Sequence, residues 1–222
     1  MAWRAVFRRA PSRSMTVLGD LAQSGAAWAP TRWSAVLEPF ARERWRLREL
    51  STNYRTPHEI MAVANAVLSV AAPEVRPSIA IRSSGHAPTR VESGAAVLPT
   101  AAAAFAAMML DELGDGRVAV LAPPDLLDEL RAALASRLGG LFDATDPLAA
   151  RVALLGVADA KGLEFDAVLL VEPGEIARHG PRGQNDLYVA LTRPTQLLRL
   201  VHARTLTPEL EARVEPDTKT VS

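Results

Sequence analysis

The chain has 222 residues, of which 25 are basic and 25 acidic, and its formal net charge is zero at pH 7. This balance excludes a protein that binds nucleic acid through a uniformly basic surface, although it is compatible with a local basic patch. Hydrophobic residues make up 49% of the chain, which suffices for a sizeable core in one large or two small domains. Cysteine is absent, which excludes disulfides, thiolate metal sites and cysteine nucleophiles and predicts a cytoplasmic location.

The N-terminal part of the chain predicts elements that cannot bury their apolar faces alone. Residues 2–10 alternate apolar and basic residues at helical spacing, and residues 15–18 form a short apolar run typical of a buried strand. A helix is predicted over residues 33–44 and a strand over residues 45–50. We therefore expect residues 1–45 to be the C-terminal remnant of a first domain whose earlier part precedes this sequence.

Strands and helices alternate through most of the remaining chain. Residues 57–70 predict a helix with Thr56 as its N-cap and Glu59 as a capping-box partner, and residues 71–99 predict an irregular connector. The pattern then predicts a helix over 100–113, a strand over 117–122, a helix over 125–138, strands over 152–157 and 167–171, a helix over 185–192 and a strand over 197–202. The alternation predicts an α/β domain over residues 46–205, with a parallel sheet covered on both faces, and a flexible tail over residues 206–222.

Nothing in the sequence predicts a metal site or a membrane span. The four histidines are scattered without the spacing of metal-binding motifs. No stretch approaches the roughly 18 consecutive apolar residues that a transmembrane helix requires, and the N-terminus lacks the apolar core of a secretory signal.

The motif GDLAQ, residues 19–23, follows the first predicted strand. Asp20 and Gln23 at the carboxyl end of a strand would lie where open α/β sheets bind ligands. A Gly–Asp pair is also common in ordinary turns, so Gly19 and Asp20 are compatible with a turn that has no ligand.

The motif NYRTP, residues 53–57, lies between a predicted strand and the start of a helix. Asn53 and Tyr54 can shape the turn, and Arg55 would project from the edge of the sheet. An arginine in that position can supply positive charge to a phosphoryl group held by a neighbouring domain. The alternative is an arginine that is solvated or paired with a carboxylate.

The motif KGLEF, residues 161–165, lies between two predicted strands and contains the single lysine of the body of the chain, Lys161. Gly162 permits close approach of the backbone to a ligand, and Glu164 at a carboxyl edge of the sheet can accept hydrogen bonds from ribose hydroxyls. The alternative is a tight turn between strands. The pattern GxxxxGK[ST] of a phosphate-binding loop occurs nowhere in the chain.

The motif LYVALTR, residues 187–193, predicts a helix that carries Arg193 at its end, with Pro194 terminating it. A positive charge at a helix C-terminus is favourable with the helix dipole, so Arg193 is compatible with a purely structural role as well as with a ligand contact.

In their order and spacing, GDLAQ, NYRT, KGLEF and YVALTR resemble the later motifs of UvrD/Rep-like superfamily 1 helicases, over roughly residues 15–202. The stretches PSRSMTVLGDLAQ, NYRTPHEIM and VADAKGLEFDAV look most like the HelD-type branch, helicase-like ATPases that recycle RNA polymerase. The resemblance implies that residues 46–205 are a complete second RecA-like domain, that residues 1–45 end a first one, and that ATP binds in the cleft between the two.

The resemblance also implies a role for each matching residue. Gln23 would sense the γ-phosphate and couple hydrolysis to movement, Arg55 would act as an arginine finger, and Arg193 would make a second γ-phosphate contact. Glu164 would bind ribose or help couple the site to nucleic acid, and Tyr54 would pack near the base. The nucleotide-binding residues implied in this way are Gly19, Asp20, Gln23, Tyr54, Arg55, Lys161, Gly162, Glu164 and Arg193.

Three departures from the family pattern bear on activity. Gly156 and Ala158 stand where UvrD-like proteins usually have Thr and His, residues that help couple the nucleic-acid strand to the ATP site. The large duplex-binding insertion between the NYR and KGLEF motifs is missing. The phosphate loop and the Asp–Glu pair that holds Mg²⁺, both expected upstream of Met15, do not occur.

We therefore expect the C-terminal half of a helicase-like motor that binds and hydrolyses ATP, acts on DNA or on RNA polymerase, and is inactive alone because Mg²⁺ and the β-phosphate are held by the other half. One alternative is a non-catalytic module that docks on RNA polymerase or on a separately encoded ATPase half. Another is a subunit of a 3′–5′ DNA helicase in repair.

Overall fold

A computed structural model describes residues 2–10, 14–24, 30–143, 146 and 149–217. Within them the helices are α1 (Ala2–Arg8), α2 (Trp33–Ala41), α3 (His58–Ala71), α4 (Leu98–Leu113), α5 (Leu127–Leu138), α6 (Pro173–Arg178), α7 (Gly183–Leu191) and α8 (Pro208–Glu211). The strands are β1 (Thr52–Asn53), β2 (Ile79–Ala80), β3 (Thr89–Glu92), β4 (Val118–Ala122), β5 (Val152–Gly156), β6 (Phe165–Val171), β7 (Pro194–His202) and β8 (Glu215–Pro216).

Six of these strands form one parallel sheet in the order β5-β4-β6-β7-β3-β8. The central strands are continuous apolar runs: every residue of β4 is buried, and only Asp166 of β6 is not fully buried. Runs of this kind are typical of parallel strands that are covered by helices on both faces. The predicted α/β fold with a parallel sheet is therefore confirmed.

The two faces of the sheet have separate cores because successive residues of a strand point to opposite sides. Helices α3 and α7 pack on one face, where Ala119 and Leu121 of β4 belong to the core. Helices α4 and α5 pack on the other face, against Val118 and Val120. The functional motifs all contact the α3–α7 side.

Two predicted strands near the N-terminus do not form. Residues 15–18 are irregular, and the strand predicted at 45–50 is replaced by the two-residue β1, which pairs in parallel with β2. A strand needs a hydrogen-bonded neighbour, and no described segment pairs with residues 15–18. That residues 1–45 belong to a first domain stays a prediction.

The start of α3 differs from the predicted capping box. Pro57 is the N-cap, and no side chain caps the helix. The Glu59 carboxylate instead accepts hydrogen bonds from the Ser83 hydroxyl, which lies 2.5 Å away, and from the backbone N–H of Gly85 at 2.9 Å. Burial raises the pKa of Glu59, but the hydrogen bonds outweigh it and lower the pKa to about 2.

The predicted flexible tail over 206–222 is wrong for its described part. Leu206, Leu210 and Val214 are buried in the core on the α3–α7 side, and β8 pairs with β3 at the edge of the sheet. These three apolar side chains recur every four residues, and their burial offsets the conformational entropy that is lost when the segment is ordered. Residues 218–222 lie outside the described residues.

The stretch Ala95–Leu113, which contains α4, is long and apolar enough to cross a membrane by length and composition alone. In the fold it is a core helix, because Ala102, Phe105 and Met109 are buried against the sheet and α5. The alanines that raise its hydropathy allow this close packing.

Candidate functional site

The KGLEF and LYVALTR motifs meet at the edge of the sheet where β6 and β7 begin. Glu164 directly precedes β6 and Arg193 directly precedes β7, and the N–H of Phe165 donates a hydrogen bond to the Arg193 carbonyl at 3.1 Å. We expected Glu164 at the carboxyl edge of the sheet, and this was wrong. The segment between β5 and β6, residues 157–164, returns from the carboxyl edge of the sheet to the opposite edge, because a parallel strand must start at the same edge as its neighbours.

Arg193 is a buried residue with four side-chain hydrogen bonds. It is 2% exposed, and its Nε donates to the Val189 carbonyl at 3.0 Å while Nη1 donates to the Leu163 carbonyl at 3.1 Å. Nη2 donates to the Thr192 hydroxyl at 3.1 Å and to Gln23 Oε1 at 3.3 Å. Burial, followed by the nearby charge of Arg55, lowers the pKa of Arg193. The guanidinium thus binds the end of α7 and reaches into the site.

The GDLAQ motif docks on α7 through its backbone. The Asn185 side-chain amide donates to the Ala22 carbonyl at 2.8 Å, and Ala22 is fully buried in the core on that face. Asp20 closes the turn, since its carboxylate accepts from the Ala22 N–H at 2.9 Å and from the Gln23 amide at 2.8 Å. This turn orients Gln23 Oε1 toward the Arg193 guanidinium.

Arg55 is held in place by its backbone. Asn53 Oδ1 accepts from the N–H groups of Arg55 at 2.9 Å and Thr56 at 3.0 Å, and Arg82 Nη1 donates to the Arg55 carbonyl at 3.1 Å. The Arg55 side chain forms an ion pair with Glu164, and the two side chains are 39% and 47% exposed. Its buried Nε has no hydrogen-bond partner among the described residues.

Four of the predicted site residues lie apart from this cluster or serve the backbone. Tyr54 is 71% exposed. Lys161 is exposed, and its charge lies near Asp186, whose pKa burial raises. Gly162 has φ +81, and a Cβ there would meet no atom within 4 Å, so the left-handed backbone accounts for the glycine. At Gly19 an added Cβ would lie 3.1 Å from the Trp33 ring.

Sequence reasoning missed three residues that build the site. Asn185 anchors GDLAQ, and Arg82 ties Arg55 to the start of β7 through a 2.6 Å bond to the Thr195 carbonyl. Tyr188 is close enough to Arg193 and Arg55 for their charges to act on its pKa. Burial, then the charge of Asp20, raises the pKa of Tyr188 to about 12. The position of Asn185, one helical turn before Tyr188 in the motif, was the only available signal.

No protein-family model matches the chain, and no curated protein matches it. Among solved structures, it is similar to the C-terminal domain of a possible DNA helicase from Lactobacillus plantarum WCFS1. The two chains are 23% identical with a TM-score of 0.52, and the match covers 73% of this chain and 94% of that one. At this identity the likeness establishes the fold, and the activity has to be argued from the site.

The cluster offers two guanidinium groups, one carboxamide and one carboxylate, which together suit a phosphorylated ligand. Planar guanidinium groups bind phosphate oxygens in a bidentate manner. The Glu164 carboxylate, which pairs with Arg55, can instead accept a hydrogen bond from a hydroxyl group of the ligand. In the part of the chain that the structure describes, no group of three or more His, Asp or Glu residues is placed to hold a metal ion.

Proposed function

We propose that this chain supplies the γ-phosphate side of an ATP site in a helicase-like motor of the UvrD or HelD type. The observation that carries the proposal is the convergence of Arg55, Arg193, Gln23 and Glu164, which four separate motifs contribute. They come together at one edge of the sheet, and the charge of Arg55 is close enough to lower the pKa of Arg193.

The site fits a triphosphate because its positive charge is only partly compensated. Burial and the charge of Arg55 both disfavour the charged form of Arg193, and an anion bound near the two guanidinium groups would stabilise that form. Arg55 has one carboxylate partner, Glu164, and that pair is solvent-exposed, so phosphate can replace it at little cost. Arg55 would then act as an arginine finger, a role that contributes on the order of 10³–10⁵ in rate in such enzymes.

The rest of the nucleotide would be bound by a first RecA-like domain. That domain would hold Mg²⁺ and the β-phosphate, since the phosphate-loop pattern is absent from this sequence. When bound, magnesium would neutralise part of the negative charge of the transferred phosphoryl group. In this chain Gln23 would position the terminal phosphate, and Glu164, once released from Arg55, would accept a hydrogen bond from ribose.

The test uses tripolyphosphate and ATP as probes of the purified chain, with isothermal titration calorimetry. We expect weak binding of both probes and a loss of about 10-fold in affinity in Arg55→Gln, which corresponds to about 1.4 kcal/mol. Arg131→Gln is the matched control, because it removes the same charge from an exposed position on α5 at the other face. Equal affinities in the two variants, or robust ATP turnover by the chain alone, would refute the half-site.

A second candidate function is docking without catalysis on RNA polymerase or on an ATPase half. It is favoured by apolar side chains exposed around β1 and β2, where Leu50 is 90%, Ile79 69% and Ile81 62% exposed. Co-purification with RNA polymerase that is lost in Ile79→Ser/Ile81→Ser would support it. No partner at any salt concentration would count against it.

A further inference from the structure

A short segment of the connector before β3 is hydrogen-bonded alongside the residues that lead into the NYRTP turn. Residues 79–85, which we call the strap, consist of β2 and the loop that follows it. The Ile79 N–H donates to the Ser51 carbonyl at 2.7 Å. Two residues further on, the Ile81 N–H donates to the Asn53 carbonyl at 3.2 Å. These bonds fix the register between the strap and the turn.

The second half of the strap is anchored at the start of α3. The Glu59 carboxylate accepts hydrogen bonds from Ser83 and Gly85, and the His58 N–H donates to the Arg82 carbonyl at 2.8 Å. The backbone of Arg82 is therefore held at its own carbonyl and at the residues that follow it. An exposed arginine on a fixed backbone can reach a defined target, whereas one on a loose loop cannot.

The Arg82 guanidinium joins the two segments that carry the arginines of the site. Its Nη1 donates to the Arg55 carbonyl at 3.1 Å, and its Nη2 donates to the Thr195 carbonyl at 2.6 Å. Thr195 is the second residue of β7, and Arg193 directly precedes that strand. Because the guanidinium fork is planar and rigid, this one side chain sets the separation of the two carbonyls.

We infer that Arg82 is a positioning residue that holds Arg55 in a fixed place relative to Arg193, so that both guanidinium groups can reach one phosphate. The inference rests on the proposed phosphate site and adds the residue that assembles it. The ion pair with Glu164 cannot serve this purpose, because phosphate would displace it. A displacement of about 1 Å in a reacting group can cost about 10²-fold in rate, so a fixed backbone is required where the finger is surface-exposed.

The alternative role for Arg82 is to contribute positive charge alone. A lysine would preserve that charge, but a single ammonium group lacks the fork that bridges two carbonyls. The alternative also makes the effects of Arg82 and Arg55 independent, whereas a residue that acts through Arg55 has no effect once the Arg55 guanidinium is removed. These two differences define the experiment.

The test measures the affinity of the whole chain for tripolyphosphate by isothermal titration calorimetry. In Arg82→Gln we expect affinity to fall about 5-fold, less than the loss of about 10-fold in Arg55→Gln, because a displaced finger keeps part of its contact. Arg82→Lys should remain about 3-fold below the wild type. Arg55→Gln/Arg82→Gln should bind no more weakly than Arg55→Gln.

Amide hydrogen exchange of the chain without ligand gives a second readout. The N–H groups of Arg55 and Thr56 both donate to Asn53 Oδ1, which holds the turn in shape. In Arg82→Gln they should exchange about 5-fold faster, while the amides of β4 keep their protection and report an intact core.

The matched control is Arg76→Gln, which removes an exposed arginine three residues before the strap that pairs with Glu49. It should change neither affinity nor exchange. Wild-type affinity in Arg82→Lys, or losses that multiply to about 50-fold in the double variant, would overturn the inference by assigning Arg82 a role as charge alone. Unchanged exchange in Arg82→Gln would overturn it as well. If the wild type fails to bind tripolyphosphate, the proposed phosphate site is refuted, and faster exchange in Arg82→Gln still supports the positioning of Arg55.

Discussion

Replacing Arg193 with methionine tests the structural role of its guanidinium group, because unfolding is measured without a ligand. Methionine keeps much of the volume but removes the donors. The Leu163 carbonyl then loses the guanidinium, while the Val189 carbonyl keeps the Thr192 hydroxyl at 2.9 Å. One orphaned carbonyl costs about 1–3 kcal/mol, and the loss of the other charged hydrogen bonds is partly offset because a buried charge is removed. We expect the free energy of unfolding to fall by about 3 kcal/mol.

The assay is urea denaturation followed by far-ultraviolet circular dichroism, which reports the sheet and its helices. Tryptophan fluorescence would not serve, because all four tryptophans lie in residues 3–45. With a slope of about 3 kcal/mol per molar urea, the midpoint should fall by about 1 M. Arg55→Met, in a half-exposed ion pair, is the comparison and should cost about 0.5 kcal/mol. Indistinguishable midpoints for the wild type and Arg193→Met would refute the structural role.

Three further predictions follow from the site and its surroundings. Glu164→Gln should release Arg55 and raise tripolyphosphate affinity several-fold by calorimetry; unchanged affinity would show that the ion pair does not compete with phosphate. Glu59→Gln should lose about 2 kcal/mol of stability at neutral pH. Because the pKa of Glu59 is lowered to about 2 from 4.5, its contribution is complete above pH 4.5 and fades as pH falls toward 2, so the wild-type and variant unfolding curves should converge there. Asn185→Ala should leave the Ala22 carbonyl unpaired and speed hydrogen exchange in residues 20–24, with protection of β4 unchanged; equal exchange rates would mean that GDLAQ does not depend on this anchor.

The elements with long apolar runs could be predicted from the sequence because their pattern is local. The strands β4 and β5, and the helices α3, α4 and α5, all lie within a few residues of their predicted positions. Strand β3 and the edge strand β8 were missed, since β3 is half-exposed and β8 is two exposed residues long. Their pairing is made by backbone hydrogen bonds, which do not depend on an apolar pattern of side chains, so no side-chain periodicity predicts them.

The sequence by itself determined which residues are available for chemistry: the arginines of NYR and LTR, the glutamine of GDLAQ and the carboxylate of KGLEF. Only the tertiary structure decided what they do to one another. Arg55 and Glu164, 109 positions apart, pair because β6 and the Asn53 turn are packed at the same edge, and Arg193 is buried because β7 is the neighbour of β6. Neighbouring strands in a parallel sheet are chosen by the packing of helices on both faces, a long-range choice that local spacing does not encode.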